Sequence, residues 1–78
     1  MKWSIVYDKD HDILHIRYAP MVETEDTYIR PGIILKRETK HGRLNSAVVM
    51  DFSKKEPQSI SKYIKRIDFG ALKKQYSL

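Results

Sequence analysis

The fold is decided first by residues 3–18, which read WSIVYDKDHDILHIRY. Apolar and polar side chains alternate over residues 3–7 and again over residues 13–18, and this is the period of a strand with one buried face. The five residues between the two runs are polar, and their aspartates can hydrogen-bond the backbone of a turn. The stretch therefore predicts a β-hairpin.

Three further strands are predicted downstream, at residues 22–29, 33–37 and 44–52. The first carries many charges, which suits an edge strand that must not pair with other chains. Before the predicted strand at residues 33–37, Pro31 and Gly32 fit a type II turn. We interpret this turn as a bend that leads into that strand. The third is apolar on both faces around residues 47–50, which is typical of a central strand.

These segments predict an α+β domain: a four- or five-stranded, mostly antiparallel sheet in β-meander order, followed by a C-terminal amphipathic helix. The predicted β-sheet domain covers residues 1–55, and a basic helical tail covers residues 56–78. The core is expected to contain Trp3, Ile5, Leu14, Ile16, Ile33, Leu35 and either Val48 or Val49.

The tail shows the period of a helix instead of that of a strand. Its apolar residues follow the i, i+3, i+4, i+7 spacing of one helix face: Ile60, Tyr63, Ile64 and Ile67. Ser59 is the expected N-cap, and Gly70 weakens any continuation of the helix. The last residues are expected to form a second short helix or a frayed end. The stripe either covers the sheet, which we favour, or docks on a partner. We expect the tail to be the functional appendage as well as a partial lid.

Size and composition set the broad class of protein. With 78 residues and no cysteine, the chain is one small domain without disulfides or thiolate metal ligands. A core this small gains stability from a second copy, so we expect a homodimer that shares sheet edges or tail helices. No apolar run approaches the length of a membrane span, and the first residues do not resemble a signal peptide. We therefore expect a cytoplasmic protein without membrane contact.

The net charge of +5 is concentrated in the tail. Residues 1–53 carry eight Lys/Arg against eight Asp/Glu, whereas residues 54–78 carry seven against two. The candidate contacts for a partner or a nucleic acid are Lys62, Lys65, Arg66, Lys73 and Lys74. Arg17, Arg37 and Arg43 are expected to extend this patch. The alternative is that these lysines are the solvated face that any amphipathic helix shows.

Motifs for catalysis or metal binding are incomplete in this chain. Asp8, Asp10 and Asp12 have the spacing that opens a calcium loop, but Ile13 replaces its glycine and the closing glutamate is missing. The three histidines lack the spacing of a zinc motif. There is no nucleophile elbow and no glycine-rich phosphate loop. We therefore expect no catalytic, cofactor or metal site, and a protein that is not an enzyme.

Three segments resemble the small DUF2283 family. Residues 7–18 resemble its opening pattern Y-D-x-x-x-D-x-L-Y-I-R, residues 31–35 its "PGV" segment, and residues 42–53 its "GRLVGIEILDAS" segment. The resemblance covers residues 3–55 and implies a compact β-rich domain. Some members are thought to be encoded beside small ribonuclease-type toxins, which implies an antitoxin-like binding role.

Two functional hypotheses follow. The first is a non-enzymatic protein-binding module, antitoxin-like, whose edge strand or tail helix docks on a partner such as a small ribonuclease-type toxin. The second is a small nucleic-acid-binding protein that uses the basic tail. Salt separates them, because binding to phosphates weakens steeply as salt rises and an apolar contact does not.

Overall fold

The computed structural model describes residues 4–18, 20 and 22–78. It contains five strands: β1 (Ser4–Asp8), β2 (Ile13–Arg17), β3 (Thr24–Ile29), β4 (Ile33–Glu38) and β5 (Leu44–Met50). A 3-10 turn (Phe52–Lys54) and two short helices, α1 (Pro57–Ser61) and α2 (Phe69–Gln75), follow. Every strand pairing is antiparallel, so the predicted α+β class, a five-stranded antiparallel sheet followed by helix, is confirmed.

The strand order is β1-β2-β5-β4-β3, which differs from the expected β-meander. β5 lies between β2 and β4, as its two apolar faces predict, and charged β3 is an edge strand. Thr24 follows Tyr18 by six residues, which can span about 20 Å. That length is enough to pass two strands at about 4.8 Å spacing, so the chain can start β3 at the far edge and leave the centre to β5.

The segment around Pro31 closes a hairpin between β3 and β4, and our interpretation of it as a bend is wrong. Ile29 pairs with Ile33, which leaves a three-residue loop in which the Arg30–Pro31 peptide bond is cis. Gly32 has a φ of +83°, and a positive φ at this position is common in three-residue hairpin loops. A Cβ atom on Gly32 would lie 3.1 Å from both Lys55 Nζ and Met50 Cβ, so the site requires glycine.

The core lies between one face of the sheet and the C-terminal segment. Its buried hydrophobic residues are Leu14, Ile16, Tyr18, Ile33, Leu35, Ala47, Val49, Phe52, Ile60, Ile64 and Phe69. Val49, and not Val48, is the β5 valine of this core, because Val49 pairs with both Leu14 and Ile33. Ile5 is only partly buried, and Trp3 lies outside the described residues.

The tail packs on the chain's own sheet, which is the first of its two predicted roles. Ile60 and Ile64 are completely buried, and Ile67 is partly buried against the same core. The expected continuous helix through Ile67 is wrong. α1 ends at Ser61, and Arg66 takes a left-handed φ of +68°, which an α-helix does not accommodate.

The helix ends also differ from the predicted ones. α1 begins at Pro57, three residues before the predicted start after Ser59. Proline is favoured at the first helical position because a backbone N–H there would have no partner within the helix. Asp68 is the N-cap of α2. Its Oδ1 accepts a hydrogen bond of 3.0 Å from the backbone N–H of Ala71. The predicted second short helix is thus present. None of the helices in the described part of the chain has the length and apolar character to cross a membrane.

Candidate functional site

The five predicted contact residues of the tail lie in three parts of the structure: after α1, in the link between the helices, and on α2. Lys62 follows α1 and is exposed, with its Nζ 5.8 Å from the ring centroid of Tyr63. Lys65 and Arg66 are exposed in the link between the helices, and Lys74 is exposed on α2. Of the five, Lys62 alone lines the basic groove described below.

Lys73 has a structural role that the sequence did not indicate. Its Nζ donates a hydrogen bond of 3.1 Å to the backbone carbonyl of Ser53 and lies 5.7 Å from the centroid of the Phe52 ring. These two contacts fasten α2 to the segment that follows β5. Lys73 is therefore engaged within the domain and is a poor candidate for partner contact.

The face of the sheet opposite the helices, which we call the uncovered face, has no described helix packed on it and carries a largely apolar row. Residues that pair across strands point to the same face, and one such row crosses all five strands: Val6, His15, Val48, Ile34 and Tyr28. Val6 is 58% exposed and Tyr28 is 56% exposed. A solvated sheet face usually presents polar side chains, so this row is a candidate contact surface.

A second row runs beside the apolar one and contains the cations of the uncovered face. Arg17 pairs with Ser46, and Ser46 pairs with Lys36. Lys36 Nζ makes an ion pair of 2.9 Å with Asp26, whereas Arg17 has no ion pair with a described residue. Both cations line a concavity of about 370 Å³ together with Val6 and Val48. Since Arg17 faces away from the helices, our expectation that it extends the tail patch is wrong.

A groove with four cations lies between the β3–β4 loop and α1, and we call it the basic groove. Its volume is about 550 Å³. It is lined by the side chains Arg30, Lys54, Lys55 and Lys62, together with Pro31, Ile33, Glu56, Gln58, Ser59 and Tyr63. Sequence reasoning missed Arg30, Lys54 and Lys55, because the loop that brings Arg30 to α1 was not recognised as a hairpin.

Asp12 holds the first hairpin turn against the segment after β5. Its Oδ1 accepts hydrogen bonds from Tyr7 Oη at 2.6 Å and from the Ser53 N–H at 2.9 Å, and its Oδ2 accepts one from Ser53 Oγ at 2.6 Å. Burial opposes ionisation, but the hydrogen bonds from Ser53 and Tyr7 outweigh it and lower the pKa of Asp12. The same carboxylate raises the pKa of Tyr7 to about 12, mainly by accepting its hydrogen bond. The arrangement is structural, since all three groups satisfy one another.

The first turn does not assemble a metal site among the described residues. Asp8 accepts a hydrogen bond from the His11 backbone N–H at 3.2 Å, and its Oδ2 lies 2.9 Å from His11 Nδ1. The side-chain hydrogen bond with His11 is the main cause of the lowered pKa of Asp8. Asp8 thus stabilises the turn through His11, and Asp12 joins the turn to Ser53.

Comparison with models of known protein families, with curated proteins and with solved structures found no match to this chain. The resemblance to the DUF2283 family therefore stays a prediction, as do the antitoxin-like role and the assignment to a non-enzymatic, cytoplasmic class. The candidate sites rest on the geometry of the described residues.

Proposed function

We propose that this protein is a small protein-binding module that docks an acidic amphipathic segment of a partner on the uncovered face of its sheet. The observation that carries the proposal is the row from Val6 to Tyr28, in which four strands contribute an apolar side chain and β2 contributes His15. Val6 and Tyr28 are exposed, and Val48 and Ile34 are partly exposed. Burying such a row stabilises a complex by removing apolar surface from water. A helix about 10 Å wide fits on a sheet about 20 Å across.

Charge and shape favour an acidic, convex partner over a second copy of this chain. Arg17 and Lys36 lie beside the apolar row, and Asp26 neutralises only Lys36. Carboxylates of a partner would meet Arg17 without a competing anion. Two copies stacked through this face would bring two concave surfaces together, which packing does not favour.

The homodimer and the antitoxin-like role are narrower proposals. The tail helices bury their apolar residues on their own sheet, so a homodimer would use the edge strands β1 and β3. A small ribonuclease-type toxin, the partner that the family resemblance implies, fits our proposal where it presents an acidic helical segment.

The test captures partners of this protein from a lysate of the source cells, after the lysate has been treated with nuclease. It compares variants on the uncovered face with a control variant on the helical side. A specific acidic protein, identified by mass spectrometry and then purified, should bind the wild type and the control Lys65→Glu. Val48→Glu and Arg17→Glu should weaken its binding at least tenfold, because they place acid in the interface. Unchanged affinity in both variants would contradict the proposal, as would a dimer of this chain that Val48→Glu dissociates.

A further inference from the structure

We infer that the basic groove binds a nucleotide unit, with the phosphate beside Lys55 and the base against Tyr63. The groove lies between the β3–β4 loop and α1, on the helical side of the sheet. It is separate from the uncovered face, so this inference does not depend on the proposed protein-binding function. It also uses a different set of residues from the tail patch expected from the sequence.

Lys55 is the central observation, because it is a buried cation with too few partners. The residue is 8% exposed, and its Nζ donates a hydrogen bond to the backbone carbonyl of Met50. An ammonium group has three donors, and Lys55 forms no ion pair with a carboxylate of the described residues. A buried charge without a counter-ion is unfavourable. An anion in the groove would supply the opposite charge and further hydrogen-bond acceptors.

The other charges of the groove point to the same ligand. Arg30, Lys54 and Lys62 add three cations, and the one carboxylate in the lining belongs to Glu56. Glu56 Oε2 accepts a hydrogen bond of 2.7 Å from Gln58 Nε2, and with its charge counted the four cations leave the groove with a net positive charge. Arginine and lysine together match the several acceptor oxygens of a phosphate.

The apolar part of the groove favours a nucleotide over a bare phosphate ion. Tyr63 is 37% exposed and lies beside Pro31 and Ile33 in the lining. An exposed ring next to phosphate-binding cations is the arrangement on which bases stack. The volume of about 550 Å³ lies within the range of pockets for small ligands, about 300–1,000 Å³. The unit can come from a free nucleotide or from a single strand of nucleic acid.

Binding of a fluorescent 12-residue oligothymidylate and of ATP tests the inference. Lys55→Met and Lys65→Met make the same change of net charge, inside and outside the groove. We expect Lys55→Met to weaken binding at least tenfold and Lys65→Met to change it less than twofold. Tight binding of the oligonucleotide alone identifies a strand as the ligand, and tight binding of ATP alone identifies a free nucleotide. Equal losses in both variants, or no binding of either probe to the wild type, would overturn the inference.

Two exposed positions keep the test valid if Lys55→Met does not fold. Tyr63→Ala should weaken binding about tenfold through the loss of stacking, with an unchanged melting temperature. Arg30→Gln should lower the slope of log affinity against log salt by about one, because one phosphate contact is lost. Wild-type affinity and salt dependence in both variants would exclude the groove.

Discussion

Removing residues 57–78 should leave the chain unfolded. Ile60, Ile64 and Phe69 are completely or almost completely buried in the core. Truncating one such side chain to alanine typically costs about 2–5 kcal/mol, and a domain of this size has a total stability of about 4–12 kcal/mol. Losing all three costs about 6–15 kcal/mol, which is comparable to or larger than that total. Circular dichroism and thermal melting of the truncated protein are the measurements, and a cooperative melt would contradict the expectation.

Single substitutions in α2 test the packing of its side chains without shortening the chain. Phe69→Ala should lower the free energy of unfolding by about 3–5 kcal/mol, since its ring also lies 6.4 Å from the Phe52 ring, centroid to centroid, in an edge-to-face contact. The control Lys74→Ala, on the exposed side of the same helix, should change it by less than about 0.5 kcal/mol. Comparable effects at the two positions would show that α2 does not pack as described.

The sequence predicts the apolar residues of the tail but not where each of them packs. The spacing of Ile60, Tyr63, Ile64 and Ile67 fits one helix face, and nothing in the sequence says whether that face meets its own sheet or a partner. The left-handed Arg66 then divides the segment, because it redirects the chain so that Phe69 also reaches the core. Local periodicity identified Ile60 and Ile64 correctly, whereas tertiary packing decided where the helix ends.

The strands were predictable because each has its own alternation of apolar and polar residues. Their order was not, since alternation in β2 and β5 does not say that these two strands pair. The basic groove depends on contacts between Arg30 and residues 54–63, which only the hairpin at Gly32 brings together. For the same reason the sequence does not reveal the hydrogen bond between Asp12 and Ser53, which are 41 positions apart.

Replacing Asp12 by alanine should lower the free energy of unfolding by about 2–4 kcal/mol, because three hydrogen bonds to one carboxylate are lost. The backbone of Asp12 has a φ of +56°, which alanine tolerates poorly and asparagine tolerates better. Asp12→Asn should therefore be less damaging than Asp12→Ala. Denaturant unfolding at neutral pH measures both, with Asp10→Asn, an exposed position in the same turn, as the control.

The pH dependence of stability gives a second, independent test of the Asp12 anchor. The pKa of Asp12 is lowered in the folded protein, so its ionised form contributes stability above the unfolded pKa of about 4. That contribution is lost as the pH falls through the folded pKa, and wild type and Asp12→Asn should converge in acid. The pKa of Tyr7 is raised to about 12, so its contribution is complete below about pH 10, the ordinary pKa of tyrosine, and disappears as the pH rises to about 12. In Asp12→Asn the tyrosinate absorbance of Tyr7 should appear nearer pH 10. An unshifted titration would show that Tyr7 does not donate to Asp12.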